Sequence, residues 1–238
     1  MVAELKLGDI SVDVVLKDIK NVHLSVYPPT GRVRISAPSH MSMETIRVFA
    51  IGKLDWIKKH QKALEKQARE SPRDLIDRES HYVWGKRYLM TVTERDTAPS
   101  VTLKGNKMTL SVRPDAPTGK RRAILEAWYR EQLKEAIPVL FGKWEPRLGV
   151  DVGRFYVQRM KTKWGSCNPE KSSIRLNTEI ARKPRECLEY LVVHEMAHLI
   201  EHTHGERFIE LMNAHLPNWR TLRDQLNAFP LAHSEWRY

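Results

Sequence analysis

Two histidines and a glutamate near residue 200 have the types and the spacing of a hydrolytic metal site. His194 and His198 flank Glu195 in the pattern H-E-x-x-H. On a helix, residues four positions apart lie on one face, so both imidazoles can bind the same metal ion. Glu195 points roughly 100° away from His194, where it can reach a metal-bound water without being a ligand. The pattern therefore predicts a two-histidine metal site with Glu195 as general base.

A third ligand must come from beyond the helix that carries this motif. If the helix continued, His202 would lie in line but about 12 Å along the axis from His194, too far for bonds of about 2.0 to 2.1 Å. His204 can reach the metal if the chain turns back, and Gly205 can adopt the positive φ that such a turn uses. We therefore favour His204 as the third ligand and expect the ion to be Zn²⁺.

Other ligand sets remain open at this point. Glu210 could replace His204. Cys167 would replace it in a deformylase-like amide hydrolase, although the glycine-rich and second cysteine motifs of that class are not visible. His202 and His215 are expected to be surface or helix-end histidines.

The predicted chemistry is zinc-assisted hydrolysis of a peptide bond. Three imidazoles leave one coordination position open, and the pKa of the bound water falls toward about 7. Glu195 accepts the proton of that water and then passes it to the leaving amine. Without a metal, these polar groups on an apolar helix would be buried without partners, which is costly.

The elements that must position these residues can be read from hydrophobic periodicity. The motif helix is predicted from Pro184 to about Ile200, and a further helix over 206–215. Strands over 155–167 and 173–177, joined at Asn168-Pro169, are predicted to form a hairpin just before the motif helix. An extended peptide substrate could pair with the exposed edge of this hairpin.

The first half of the chain is richer in strand patterns. Strands are predicted over 11–16, 22–27 and 32–36, with a turn at 28–31 that makes the last two a hairpin. An amphipathic helix is predicted over 42–70, followed by strand character over 82–92 and 101–112. A Pro- and Gly-rich stretch over 114–119 precedes a long helix, and we place a domain boundary between residues 117 and 118. These elements indicate an α+β fold.

Composition excludes several classes of protein. The 238 residues are 41% hydrophobic and 29% charged, which is enough for a continuous core. No apolar run approaches the roughly 18 to 20 residues of a membrane span, and residues 1–10 lack the apolar core of a signal peptide. We expect a cytoplasmic protein that does not enter membranes. Two cysteines, Cys167 and Cys187, are too few for a disulfide framework and are expected to be free thiols.

The excess of positive charge makes nucleic acid a possible partner. Lys and Arg number 40 against 29 Asp and Glu, for a net charge of +11. Between residues 120 and 163, 11 residues are basic and 5 acidic, and Lys120, Arg121 and Arg122 open this segment. The alternatives are a solvated basic face and a site for nucleic-acid backbone, because no base-reading motif is visible. A non-enzymatic basic module that binds nucleic acid is thus a second functional hypothesis.

Five short motifs resemble one family of peptidases. They are KWGSC at 163–167, IRLN at 174–177, VVHEMAHL at 192–199, HGERF at 204–208 and PNWR at 217–220. Together they resemble the YgjP-like zinc metallopeptidases, relatives of the SprT and WLM groups, and the close match covers roughly residues 128–226.

The resemblance implies a zincin-like catalytic part over 118–238, after a strand-rich N-terminal region over 1–117. It implies zinc ligation by His194, His198 and His204 and catalysis by Glu195, with a peptide or protein as substrate. Glu201 stands where a metzincin would have its turn glycine, and no Met-turn is identified. SprT relatives include proteins that act at DNA, so a DNA-associated protease is a further alternative.

Overall fold

The computed structural model describes residues 2–27, 31–66, 75–160 and 163–228. These residues form six helices and eleven strands in three small sheets, so the α+β prediction is confirmed. The contacts divide the chain into two compact units between residues 70 and 71.

The first unit is a four-stranded sheet with two helices. The strands are β1 (Val2–Leu7), β2 (Ile10–Lys17), β3 (His23–Tyr27) and β4 (Arg32–Pro38), in the order β1-β2-β4-β3. The predicted hairpin is present, since β3 and β4 are antiparallel neighbours, whereas the turn residues 28–30 lie outside the described residues. β1 is absent from the sequence predictions.

The helix predicted over 42–70 is two helices, α1 (Met43–Ile51) and α2 (Leu54–Lys66). Ser42 caps α1 by accepting a hydrogen bond from the Thr45 amide. Gly52 ends it, in keeping with the cost of about 1 kcal/mol that glycine has inside a helix. Ile46 and Ile57 are buried with the apolar face of the sheet, so both helices cover the same core. The predicted end of the helix, at 71–72, lies outside the described residues.

The second unit begins with another four-stranded sheet, packed with a long helix. Its strands are β5 (Ser80–Val83), β6 (Lys86–Glu94), β7 (Ser100–Lys104) and β8 (Lys107–Val112), followed by α3 (Thr118–Leu148). A stripe of side chains on α3 is buried: Leu125, Tyr129, Leu133, Ile137, Phe141, Trp144 and Leu148. Because Val83, Met90 and Leu110 of the sheet share one core with this stripe, the compact unit extends across residue 117. The domain boundary between 117 and 118 stays a prediction.

The third sheet differs from the predicted hairpin. The segment predicted as one strand over 155–167 is two, β9 (Arg154–Gln158) and β10 (Gly165–Asn168), and β11 (Ser173–Asn177) lies between them. β10 and β11 are antiparallel, as predicted, but β9 pairs with β11 in parallel. The chain leaves β9 and returns on the other side of β11. The periodicity of a strand shows which face is buried but not which strands are its neighbours, so the sequence does not predict this order.

Three helices complete the unit. α4 (Arg185–Ala197) starts after Pro184 as predicted, and α5 (Glu206–His215) has the predicted bounds. α6 (Trp219–Ala228) is absent from the sequence predictions, although Trp219, Leu222 and Leu226 bury one face of it. A short 3-10 helix, Thr178–Arg182, connects β11 to α4.

Candidate metal centre

The helix that carries the H-E-x-x-H motif is held inside the core. Leu188, Val192, Val193 and Met196 of α4 are buried, whereas His194 and His198 remain partly exposed. Glu189 accepts a hydrogen bond from the Trp144 indole nitrogen of α3, at 2.9 Å. The position of α4 is therefore set by packing as well as by a cross-helix hydrogen bond.

The N-terminal end of α4 is in close contact with the turn between β5 and β6. The backbone N–H groups of Trp84 and Gly85 donate to the carbonyls of Ala181 and Arg182. Gly85 has φ +77°, and a Cβ atom there would lie 2.9 Å from the Pro184 ring. Only glycine fits both the backbone conformation and the contact.

A turn after α4 brings the third histidine back. α4 ends at Ala197, whose carbonyl accepts from the amides of Ile200 and Glu201. The Glu201 carboxylate then accepts hydrogen bonds from the Thr203 amide and hydroxyl, at 3.1 and 2.9 Å. These contacts close the turn that precedes His204.

The three histidines predicted as ligands converge. Nε2 of His204 lies 3.2 Å from Nε2 of His198 and 3.2 Å from Nε2 of His194. Two nitrogens bound to a tetrahedral zinc ion at about 2.0 to 2.1 Å lie about 3.3 to 3.4 Å apart. In the part of the chain that the structure describes, these histidines form the one group of three or more potential ligands that fits an ion. Their geometry and donor chemistry fit Zn²⁺.

The alternative ligands do not join this group. Glu210 and His202 are exposed, and Cys167 lies on β10. None of the three has a donor atom among the converging nitrogens. His202 instead places its Nδ1 3.2 Å from the His198 carbonyl. His215 is at the end of α5, as predicted.

Hydrogen bonding and burial favour neutral imidazoles. Nδ1 of His198 lies 2.9 Å from the Glu201 carbonyl, to which its N–H donates, so its Nε2 lone pair is free for a metal. Burial, with the neighbouring histidines His198 and His204, lowers the pKa of His194 to about 3. Burial also lowers the pKa of His198, against the opposing effect of its hydrogen bond to the Glu201 carbonyl. Neutral imidazole is the form that binds metal ions.

Glu195 is buried beside the three histidines, against strand β10. It is 5% exposed, and burial raises its pKa to about 8, partly offset by the positive charge of Lys163. A Cβ atom on Gly165 would overlap the Glu195 carboxylate, so the β10 backbone passes directly against the glutamate. In the sequence, only its place in the KWGSC motif marks out Gly165, so a contact with Glu195 is not predictable from it.

The outer edge of β10 carries backbone groups without a strand partner in the described residues. The Asn177 amide donates to the Trp164 carbonyl at 2.7 Å. Antiparallel pairs alternate between hydrogen-bonded and non-hydrogen-bonded types, so Ser166 and Asn168 also point their N–H and C=O groups at β11. Those of Gly165 and Cys167 therefore point away from β11, toward the free edge.

Asn177 holds the segment that enters β10. Its side-chain amide donates to the carbonyls of Met160 and Lys163, both at 2.9 Å, and its oxygen accepts from the Glu179 amide. Asn177 is 5% exposed, so these bonds are shielded from water. They fix where the KWGSC segment begins relative to β11.

Two arginines of the basic segment lie close to acidic side chains. Arg121 lies 3.3 Å from Glu94 and donates to the Ala116 carbonyl, and Arg159 lies 3.4 Å from Glu126. These contacts neutralise part of its charge and give no support to nucleic-acid binding, which stays a prediction. None of the described helices is long and apolar enough to cross a bilayer.

Comparison with known proteins gives one family match. The model of the YgjP-like metallopeptidase domain matches residues 20–229. No curated protein matches at a significant level.

Two solved structures are similar over part of the chain. One is the metallopeptidase zymogen of Pyrococcus abyssi abylysin, with 19% identity and a TM-score of 0.36, covering 38% of this chain and 90% of that one. The other is the metallopeptidase zymogen of Methanocaldococcus jannaschii jannalysin, with 18% identity and a TM-score of 0.33, covering 40% of this chain and 92% of that one.

Proposed function

The chain belongs to the YgjP-like metallopeptidase family, and from that premise we propose that it is a zinc-dependent peptidase. The observation that carries the proposal is the convergence of His194, His198 and His204 through their Nε2 atoms, beside a buried Glu195. Three imidazoles with one position left open are a donor set of hydrolytic zinc sites.

Glu195 has the role of general base in this proposal. Bound zinc would polarise the substrate carbonyl and lower the pKa of the attacking water. The positive charge of bound zinc would oppose the effect of burial on the Glu195 pKa and keep the carboxylate ionised. Ionised Glu195 accepts the proton of that water and returns it to the nitrogen of the leaving amine, so no net proton is gained or lost. Helix α4 places Glu195 next to His194, and the carboxylate lies against the backbone of Gly165. Burial between α4 and β10 limits the space into which the carboxylate could turn.

The substrate we propose is an extended peptide that pairs with β10. The outward N–H and C=O groups of Gly165 and Cys167 can bond to the main chain of such a peptide. Because Gly165 lies against Glu195, a peptide on this edge would pass close to the general base. Main-chain pairing supplies affinity without selecting a side chain.

Replacement of Glu195 by Gln tests the proposed function. Glu195→Gln should retain zinc and the fold but lose peptide hydrolysis, because an amide cannot accept the proton. Glu210→Gln is the matched control, since it makes the same change at an exposed position of α5. The measurements are zinc content and the cleavage of a peptide library by each purified variant. Equal turnover by Glu195→Gln and wild type would refute the role of Glu195 as general base. Loss of zinc from Glu210→Gln would indicate that Glu210 is a zinc ligand.

A further inference from the structure

A single buried aromatic ring contacts all three proposed ligands. Phe208 is 1% exposed and lies on α5, four residues after His204. Its ring centroid is 5.1 Å from that of His194, 4.7 Å from His198 and 4.8 Å from His204. The structure thus surrounds one phenyl ring with three imidazoles that come from two different segments of the chain.

The orientation of the ring differs among the three contacts. Phe208 stacks on His198, with 27° between the planes, and meets His194 and His204 edge to face, at 73° and 74°. Stacked and T-shaped arrangements at these separations are the favourable geometries for aromatic pairs. Each imidazole plane is therefore restrained by the same ring.

Phe208 cannot easily move away from this position. Met212, one turn further along α5, is fully buried, and both side chains belong to the core that contains α4. His204, by contrast, is exposed. The phenyl ring therefore lies on the inner side of the three imidazoles, where it occupies space that water would otherwise enter.

We propose that Phe208 is a positioning residue that forms an apolar floor beneath the metal ligands. It restricts the rotation of the three imidazoles, so that less conformational freedom is lost when the ion binds. It also covers the inner side of the three imidazoles with an apolar surface, where water would otherwise compete for their nitrogens. The inference rests on the proposed function, because it takes His194, His198 and His204 to be zinc ligands.

Substitution by leucine separates this role from ordinary core packing. Phe208→Leu keeps an apolar side chain but removes the ring. Phe141→Leu is the matched control for the loss of a core ring, because Phe141 is another buried phenylalanine of the same core. Its ring centroid lies 5.5 Å from that of Phe155 and not beside the histidines. Zinc Kd is measured by competition with a chelator, the melting temperature on the metal-free protein, and the coordination sphere by the visible spectrum of the Co²⁺-loaded form.

The expected result is a selective loss of metal affinity. Phe208→Leu should raise the zinc Kd by on the order of tenfold or more, the range found when groups that orient ligands are removed. Its Co²⁺ bands should also change in intensity, because water gains access to the ion. Both variants should lower the melting temperature of the metal-free protein by similar amounts, because each loses a buried ring. Phe141→Leu should nevertheless keep the zinc Kd and the Co²⁺ spectrum of the wild-type protein.

Each other outcome is decisive. A wild-type zinc Kd and Co²⁺ spectrum in Phe208→Leu would overturn the proposal, as would an equal rise in Kd in Phe141→Leu. If Phe208→Leu does not fold, Phe208→Met is measured in the same way, since it has an unbranched apolar side chain without a ring. A wild-type protein that binds no zinc would overturn the proposed function, and the role of Phe208 with it.

Discussion

The imidazoles at the centre owe their positions to different kinds of local structure. His194 belongs to the last turn of α4, and His198 caps that helix and donates to the Glu201 carbonyl. His204 depends on the turn that the Glu201 carboxylate closes through Thr203. Glu201 therefore helps to position two of the proposed ligands, one through its backbone carbonyl and one through its side chain.

Substitution of two nearby histidines, His202 and His204, tests which of them binds zinc. His204→Ala should lose most bound zinc, because it removes one of three converging nitrogens. His202→Ala should retain zinc, since His202 is exposed and lies outside the group. Zinc content after dialysis against a weak chelator measures both. Zinc retention in His204→Ala, with loss in His202→Ala, would reverse the assignment.

Among the elements, the contact between β10 and α4 is the one on which the proposed mechanism depends most. Gly165 allows the strand to approach the Glu195 carboxylate, and Asn177 fixes where the strand begins. A side chain at residue 165 would push the strand and helix apart. The β10 edge proposed to bind substrate and the proposed general base therefore lie close together.

Two substitutions at residue 167 test the role of the β10 edge. Cys167→Pro removes the outward N–H, so peptide turnover should fall at least tenfold while zinc content stays at the wild-type level. Cys167→Ala retains the N–H and should keep both turnover and zinc. Steady-state cleavage of one peptide by both variants is the measurement. Loss of zinc from Cys167→Ala would instead favour the thiol as a ligand, as in a deformylase-like site.

The second unit as a whole is built around one core that includes α4, the helix of the H-E-x-x-H motif. The stripe on α3, the sheet β5–β8 and helices α4 to α6 contribute side chains to it. Two of the proposed ligands are attached to α4, whereas His204 lies beyond the turn. Metal binding should therefore be coupled to the stability of the entire unit.

Chelation should lower the melting temperature of the wild-type protein. Free zinc at 100 times Kd stabilises the folded state by about 2.7 kcal/mol, if zinc does not bind the unfolded chain. For a unit of this size, that corresponds to a shift of roughly 5 to 10 °C. The His194→Ala/His198→Ala double variant should melt at the same temperature with and without chelator. Equal melting of wild-type protein in both conditions would contradict the coupling.

Short-range patterns in the sequence were sufficient to predict several elements and to single out the three histidines that converge. The four-residue spacing of His194 and His198, the proline before α4 and the bounds of α5 depend on interactions within a few residues. The need for a turn before His204 also follows from helix geometry alone. These features involve contacts between residues close in sequence.

Only the tertiary structure decided how distant segments meet. β11 lies between β9 and β10. The β5–β8 sheet shares one core with α4, although a domain boundary was predicted between residues 117 and 118. The contact of Gly165 with Glu195 and the position of Phe208 beneath three imidazoles were equally invisible in the sequence. Strand order, register and side-chain packing depend on pairings far apart along the chain, which local periodicity does not encode.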